Sequence, residues 1–155
     1  MLSAGAQAPL PTFQTPDGGR ESLAELLAAG PVLLVFYKIS CPTCQLAMPY
    51  LDRVAGGEGL RVVAVSQNAA DGTAAFEKRF RMTRISSLVE DEGAGFAGAN
   101  AFEVTHVPSQ FLIEPDGRIS RSWSGFSRQD VEAAGERAGV APFGPGEQVP
   151  NFKAG

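Results

Sequence analysis

Residues 36–51 read FYKISCPTCQLAMPYL, and the fold turns on how this stretch is parsed. An apolar run ends at Tyr37, and the only two cysteines of the chain, Cys41 and Cys44, follow at C-x-x-C spacing. Leu46, Tyr50, Leu51 and Val54 continue at helical intervals, so the pair opens a helix that directly follows a strand. Pro42 suits the first helical turn, where its missing N–H costs nothing. Pro49 falls inside the helix and is expected to kink it. A thiolate is the reactive form of cysteine, and a free thiol titrates at about 8.5, so a useful one needs help. Cys41, at the helix start, stands where unpaired backbone N–H groups and the helix dipole stabilise an anion. Cys44 lies one turn further in, on the same face and less exposed. This order makes Cys41 the attacking thiol and Cys44 the resolving thiol of a disulfide exchange that needs no metal or organic cofactor.

Outward from this stretch, strands and helices alternate. Residues 32–37 form an unbroken apolar run, as a central strand covered on both faces would. Before it come a short edge strand or hairpin near 12–14, a PDGG turn at 16–19, and a helix capped by Ser22 with Glu25 three residues on. After the helix, Gly56, Gly57 and Gly59 stop it, and 60–65 reads as a second buried strand. An amphipathic helix over 71–82 carries Phe76 and Phe80 on one face. A short strand over 85–89 and a weak helix over 94–102 follow. Strands at 109–113 and 119–123 flank a Pro115-Asp116-Gly117 turn, and Ser127 caps a last helix over 128–138. Residues 1–140 are read as one α/β domain and 141–155, rich in Pro and Gly, as an extended, poorly packed tail.

Composition narrows the function classes. Hydrophobic residues at 44% and charged residues at 19% describe a globular chain rather than a disordered one. A formal net charge of -4 speaks against a nucleic-acid partner, and the cations of 78–84 look like a solvated helix end. No apolar run approaches the roughly 20 residues of a membrane span. The N-terminus lacks the basic and apolar regions of a signal peptide, which implies a cytoplasmic protein, or a periplasmic one if a signal has been removed. A C-x-x-C bridge closes too small a loop to be a useful staple. Two Cys and one His fall short of the four ligands of a structural zinc site.

Three further stretches, GAQAPLPTFQTPDG (5–18), VVAVSQN (62–68) and VPSQFLIEPDGRI (107–119), together with CPTC at the head of a helix, resemble the thioredoxin superfamily. Within it the chain is similar to the TlpA-like and AhpC/TSA (redoxin) thiol-disulfide oxidoreductases over residues 5–138. The resemblance implies a thioredoxin-like fold: a mixed central sheet flanked by helices, with an N-terminal extension and a βα-type insertion (71–102) before a cis-proline hairpin. It also implies that Pro108 is that cis proline, packed beside the sulfurs and preceded by Val107, and that the partner is a disulfide-containing protein or a small thiol. Oligomeric state is left open.

The sequence departs from the family pattern near the site. Ser40 stands where a tryptophan is usual, Val35 where thioredoxins bury an acidic residue, and Ala47 where TlpA-like proteins often carry a glutamate. No obvious carboxylate remains to move the Cys44 proton. Lys38, Pro42, Thr43, His106 and Val107 are therefore the candidates for tuning the pair, with His106, Lys38 or solvent as the candidate proton acceptors. Two rival readings are a thiol-dependent peroxidase and a non-catalytic thioredoxin-like binding module. Against the first, the Thr or Ser and the Pro that peroxiredoxins place ahead of their cysteine are Lys38 and Leu34 here. Against the second stands the intact C-x-x-C.

Overall fold

The computed structural model describes residues 1–90 and 92–155. Its main sheet has seven strands in the order β2-β1-β5-β4-β3-β6-β7, formed by β1 (Thr12–Gln14), β2 (Arg20–Ser22), β3 (Val32–Tyr37), β4 (Arg61–Ser66), β5 (Leu88–Val89), β6 (Ser109–Ile113) and β7 (Ile119–Ser124). β3 runs parallel to β4 and antiparallel to β6, so the sheet is mixed. Among the described residues five α-helices complete the fold: α1 (Leu23–Ala28), α2 (Pro42–Val54), α3 (Ala70–Arg79), α4 (Ala97–Ala101) and α5 (Arg128–Ala138). Among the described residues no helix is long and apolar enough to cross a membrane.

Every residue of β3 is buried, because the strand lies between two others and is covered on both faces. Alternate side chains point opposite ways, and they divide the core in two. Leu33, Val35 and Tyr37 join Cys44, Met48, Leu51 and residues of α5 on one face. Val32, Leu34 and Phe36 join the N-terminal hairpin, α1 and α4 on the other. On that second face Phe36 meets Phe13, Phe102 and Phe111 with ring centroids 6.0, 5.6 and 6.2 Å away. Each such ring pair adds about 1 kcal/mol beyond the area it buries. This cluster ties the N-terminal extension and the insertion to the sheet.

The insertion differs in detail from the local reading. The helix expected to reach residue 82 stops at Arg79, and Arg81 takes a left-handed φ of 54°. The strand expected over 85–89 shrinks to Leu88–Val89. The N–H groups of Thr83, Arg84 and Ile85 instead donate to the buried carboxylate of Asp52, at 3.2, 3.0 and 2.8 Å. The helix expected over 94–102 is broken at Phe96, φ 53°, into a 3-10 turn (Glu92–Ala94) and α4. The Glu90 carboxylate takes the α4 N–H groups of Gly98 and Ala99. Outside the insertion, Pro49 lies within α2 as expected, and the helix runs on to Val54.

Most residues of 141–155 are exposed, but the segment is anchored to the rest of the fold at several points. Phe143 meets Tyr50 edge-to-face with ring centroids 4.9 Å apart, and Arg53 makes a two-pronged pair with Glu147. The segment closes with β9 (Phe152–Lys153), antiparallel to β8 (Phe126–Ser127). Composition argued for loose chain; what decides otherwise is an apolar strip on α2 and β8, including Tyr50 and Phe126, that the segment covers.

Candidate active site

The site forms where β3 ends and α2 begins. Cys41 is the N-cap of α2, and its Sγ accepts the Cys44 N–H at 3.2 Å, a role usually filled by a serine or aspartate oxygen. A sulfur so placed gains most from that donor as an anion. The loop carrying Cys41 is pinned on both sides: the Ile39 N–H donates to Asn68 Oδ1 at 2.9 Å, and Gln45 Nε2 donates to the Ile39 carbonyl at 3.0 Å.

Cys41 is partly exposed, whereas Cys44 is fully buried, and both are free thiols. Cys44 shares its cluster with Val35, Tyr37, Ala47 and Met48. Burial among these groups pushes its thiol well above the ordinary range, and the backbone N–H of Lys38 only partly opposes this. The two family carboxylate positions, Val35 and Ala47, thus fall in the same apolar wall around Cys44. The neighbouring Tyr37 hydroxyl, 2.7 Å from Ser87 Oγ, is itself pushed up to about 12 by burial.

The opposite wall comes from the loop before β6. The Val107–Pro108 peptide is cis, Pro108 is buried, and the Val107 carbonyl accepts the Cys41 Sγ–H at 3.4 Å. This loop is braced by the Gly125 N–H, which donates to the Pro108 carbonyl, and by Gln110 Nε2, which donates to the Gly125 carbonyl. Thr43, nearly fully buried, donates its hydroxyl to the Ala154 carbonyl at 2.6 Å. Pro42 is exposed on the first turn.

Lys38 and His106 sit beside the sulfurs rather than on them. Both are exposed and line a cavity of about 200 Å³ with Phe96, Asn100 and Val107. Lys38 Nζ lies 6.0 Å from the Phe96 ring centroid, and His106 Nδ1 is 3.0 Å from Thr105 Oγ1. The Lys38 charge is a minor influence on Cys44. A larger cavity, about 600 Å³, lies at the other end of β4 near Arg61 and Arg84 and includes none of these residues. Among the described residues no group of three or more His, Cys, Asp or Glu side chains is placed to hold a metal ion.

Sequence reasoning missed Tyr37 and Gly125 as parts of the site's frame, and it missed the 151–155 segment. Tyr37 reads simply as the last apolar residue of a strand, and nothing local marks Gly125 as the residue that meets Pro108.

Residues 4–122 match the AhpC/TSA family. The chain belongs to that family. It is 29% identical over 137 residues to the methylamine utilization protein MauD of Methylobacillus flagellatus, covering 88% of this chain and 64% of the relative. To the thiol-disulfide oxidoreductase ResA of Halalkalibacterium halodurans it is 28% identical, covering 85% of this chain and 75% of the relative. The chain spans less than two thirds of the length of the MauD proteins it matches. Among solved structures, the thioredoxin domain of a thiol-disulfide oxidoreductase from Bacteroides vulgatus superposes with a TM-score of 0.75 at 18% identity, over 88% of this chain and 98% of that one. The peroxidoxin BcpB of Mycobacterium tuberculosis gives 0.70 at 19% identity, over 89% and 97%. At such identities the likeness is one of thioredoxin-like fold alone.

Proposed function

We propose that this protein is a thiol-disulfide oxidoreductase that exchanges the Cys41–Cys44 dithiol with a disulfide on a protein or small thiol. The observation that carries this reading is the pairing of a partly exposed N-cap sulfur with a buried sulfur one helical turn away. The names of the ResA relatives point the same way.

In the forward direction the Cys41 thiolate attacks one sulfur of the substrate disulfide. A Cys41–substrate bond forms, the substrate S–S bond breaks, and the departing thiolate takes up a proton. Cys44 then attacks Cys41 Sγ, forming the Cys41–Cys44 bond and releasing the second substrate thiol. Two electrons pass from the dithiol to the substrate, and the substrate takes up two protons. With Val35 and Ala47 in place of carboxylates, the departing substrate thiolate, or water admitted beside it, is the base available to the Cys44 proton. Pro108 and Val107 present backbone to the substrate; Thr43 and Pro42 shape the first turn.

Insulin reduction driven by dithiothreitol tests the proposal, with turnover expected. Consumption of hydrogen peroxide without insulin turnover would overturn it in favour of a peroxidase, and inactivity in both assays would leave a binding module. Equilibration against glutathione gives the potential that distinguishes a reductant from an oxidant.

A further inference from the structure

The face beside Cys41 is covered by the chain itself. The Asn151 carbonyl accepts the Arg128 N–H at 2.9 Å, and β9 then pairs with β8, Lys153 opposite Phe126 and Phe152 opposite Ser127. The chain passes so close to Gly125 that a Cβ there would stand 2.4 Å from the Lys153 carbonyl oxygen. Beyond it, the Ala154 carbonyl takes the Thr43 hydroxyl from the first turn of α2. Gly155 ends against the cis-proline loop, where a Cβ would lie 2.3 Å from the Val107 oxygen. That same oxygen is the acceptor of the Cys41 thiol.

The grip on this segment is made by its backbone. Phe152 is 63% exposed, Lys153 points to solvent, and Ala154 and Gly155 have little or no side chain. Backbone pairing to an exposed strand edge is how extended peptides of varied sequence are held. The segment contains no cysteine, so it occupies the strip without being able to react. A peptide disulfide must bring a sulfur to bonding distance of Cys41, about 2.05 Å. It would then need the Val107, Thr43 and β8 groups that residues 151–155 already use.

We infer that residues 151–155 are an intramolecular strand that competes with an extended substrate peptide for the docking strip formed by β8, Thr43 and Val107. The inference rests on the exchange reaction proposed above. Upstream, Phe143 packs edge-on against Tyr50 and the Phe126 ring, and Glu147 pairs with Arg53; these anchors use side chains and leave the β8 backbone, Thr43 and Val107 groups to residues 151–155. The strand can therefore open locally while the rest of the segment stays seated, at the low-stability end of the structure's opening events.

Two variants test this: a chain lacking residues 151–155, and Lys153→Pro, which removes an N–H from the two-residue strand. Both should reduce insulin roughly tenfold faster at low substrate than the intact chain, and reduction of the small disulfide 5,5′-dithiobis(2-nitrobenzoate) should change far less. The peptide PNFKAG, added to the shortened chain, should inhibit insulin reduction competitively. As a readout on full-length chain, Cys44→Ser carrying a peptide mixed disulfide on Cys41 should lose hydrogen-exchange protection at the Lys153 amide, the N–H of the strand that faces β8. Unchanged insulin rates in both variants with no inhibition by the peptide would overturn the inference. So would retained protection in the trapped complex. Failure of the small disulfide to react with any form would instead overturn the exchange reaction itself.

Discussion

The Sγ of Cys41 donates to the carbonyl oxygen of Val107 at 3.4 Å, across a sequence separation of 66 residues. One end of α2 and the loop before β6 are thereby brought into a single site, and the sulfur is oriented from both sides. The Cys44 N–H approaches from within the helix, and the Val107 carbonyl from the loop. A neutral thiol satisfies both at once, its sulfur lone pair accepting from the Cys44 N–H while its S–H donates to the Val107 carbonyl.

The division of labour between the sulfurs gives the first expected outcome. Cys41→Ser should abolish insulin reduction, because Cys44 is fully buried and cannot reach a protein disulfide. Cys44→Ser should retain the first attack and accumulate a mixed disulfide, visible as a mass increase that dithiothreitol removes. Wild-type turnover in Cys41→Ser would refute the assignment.

Burial of Cys44 makes both resolution and stability pH-dependent. Burial holds its folded thiol well above the ordinary thiol range. Only its thiolate attacks, so release of a trapped substrate should accelerate with pH through pH 9 without a plateau. For stability, below pH 9 the thiol is protonated in both folded and unfolded chains and contributes no pH dependence. Above it the unfolded chain releases the proton while the folded chain keeps it, so stability falls as pH rises, by at most about 1.4 kcal/mol per pH unit. Urea unfolding of the reduced protein between pH 7 and 10 should show this slope, and Cys44→Ser should lack it. Tyr37 is also raised, but it contributes equally to both forms and cancels in the comparison.

Lys38 and His106 line the small cavity beside Val107, and neither bonds to a sulfur among the described contacts. We expect His106→Ala to leave the ultraviolet titration of the thiolate and the exchange rate within twofold of wild type. Lys38→Ala should slow resolution only slightly, since its charge is a minor influence on Cys44. A tenfold loss in either variant would make that side chain a proton carrier.

Asp52 should matter more to stability than any charged residue near the sulfurs. It is 4% exposed and accepts three backbone N–H groups from the segment between α3 and β5. Asp52→Ala leaves those donors without a partner, at a cost of about 3 kcal/mol. A denaturation midpoint unchanged from wild type would refute this role, and exchange activity measured well below the transition should be retained.

The sequence by itself determined the elements whose signals are local. Val32–Tyr37 is unbroken apolar chain, and only a strand covered on both faces hides all of it. CPTC followed by helical spacing fixed the start of α2, and Ser22 and Ser127 marked two further caps that the structure contains. The order of alternating elements was enough for a mixed sheet, and the motifs were enough for the family. Tertiary structure alone decided the rest, because the relevant partners are far apart in the chain. Residues 85–87 look like strand by composition, but a carboxylate from α2 claims the N–H groups just before Ser86, and the pairing begins only at Leu88. Residues 141–155 look like loose chain by their Pro and Gly content, yet an apolar strip on α2 and the edge of β8 give them something to cover. The C-x-x-C stretch named its two sulfurs. That one of them faces the Val107 carbonyl, and that Gly155 of the same chain abuts that carbonyl, are consequences of how distant backbone segments meet, which no local pattern encodes.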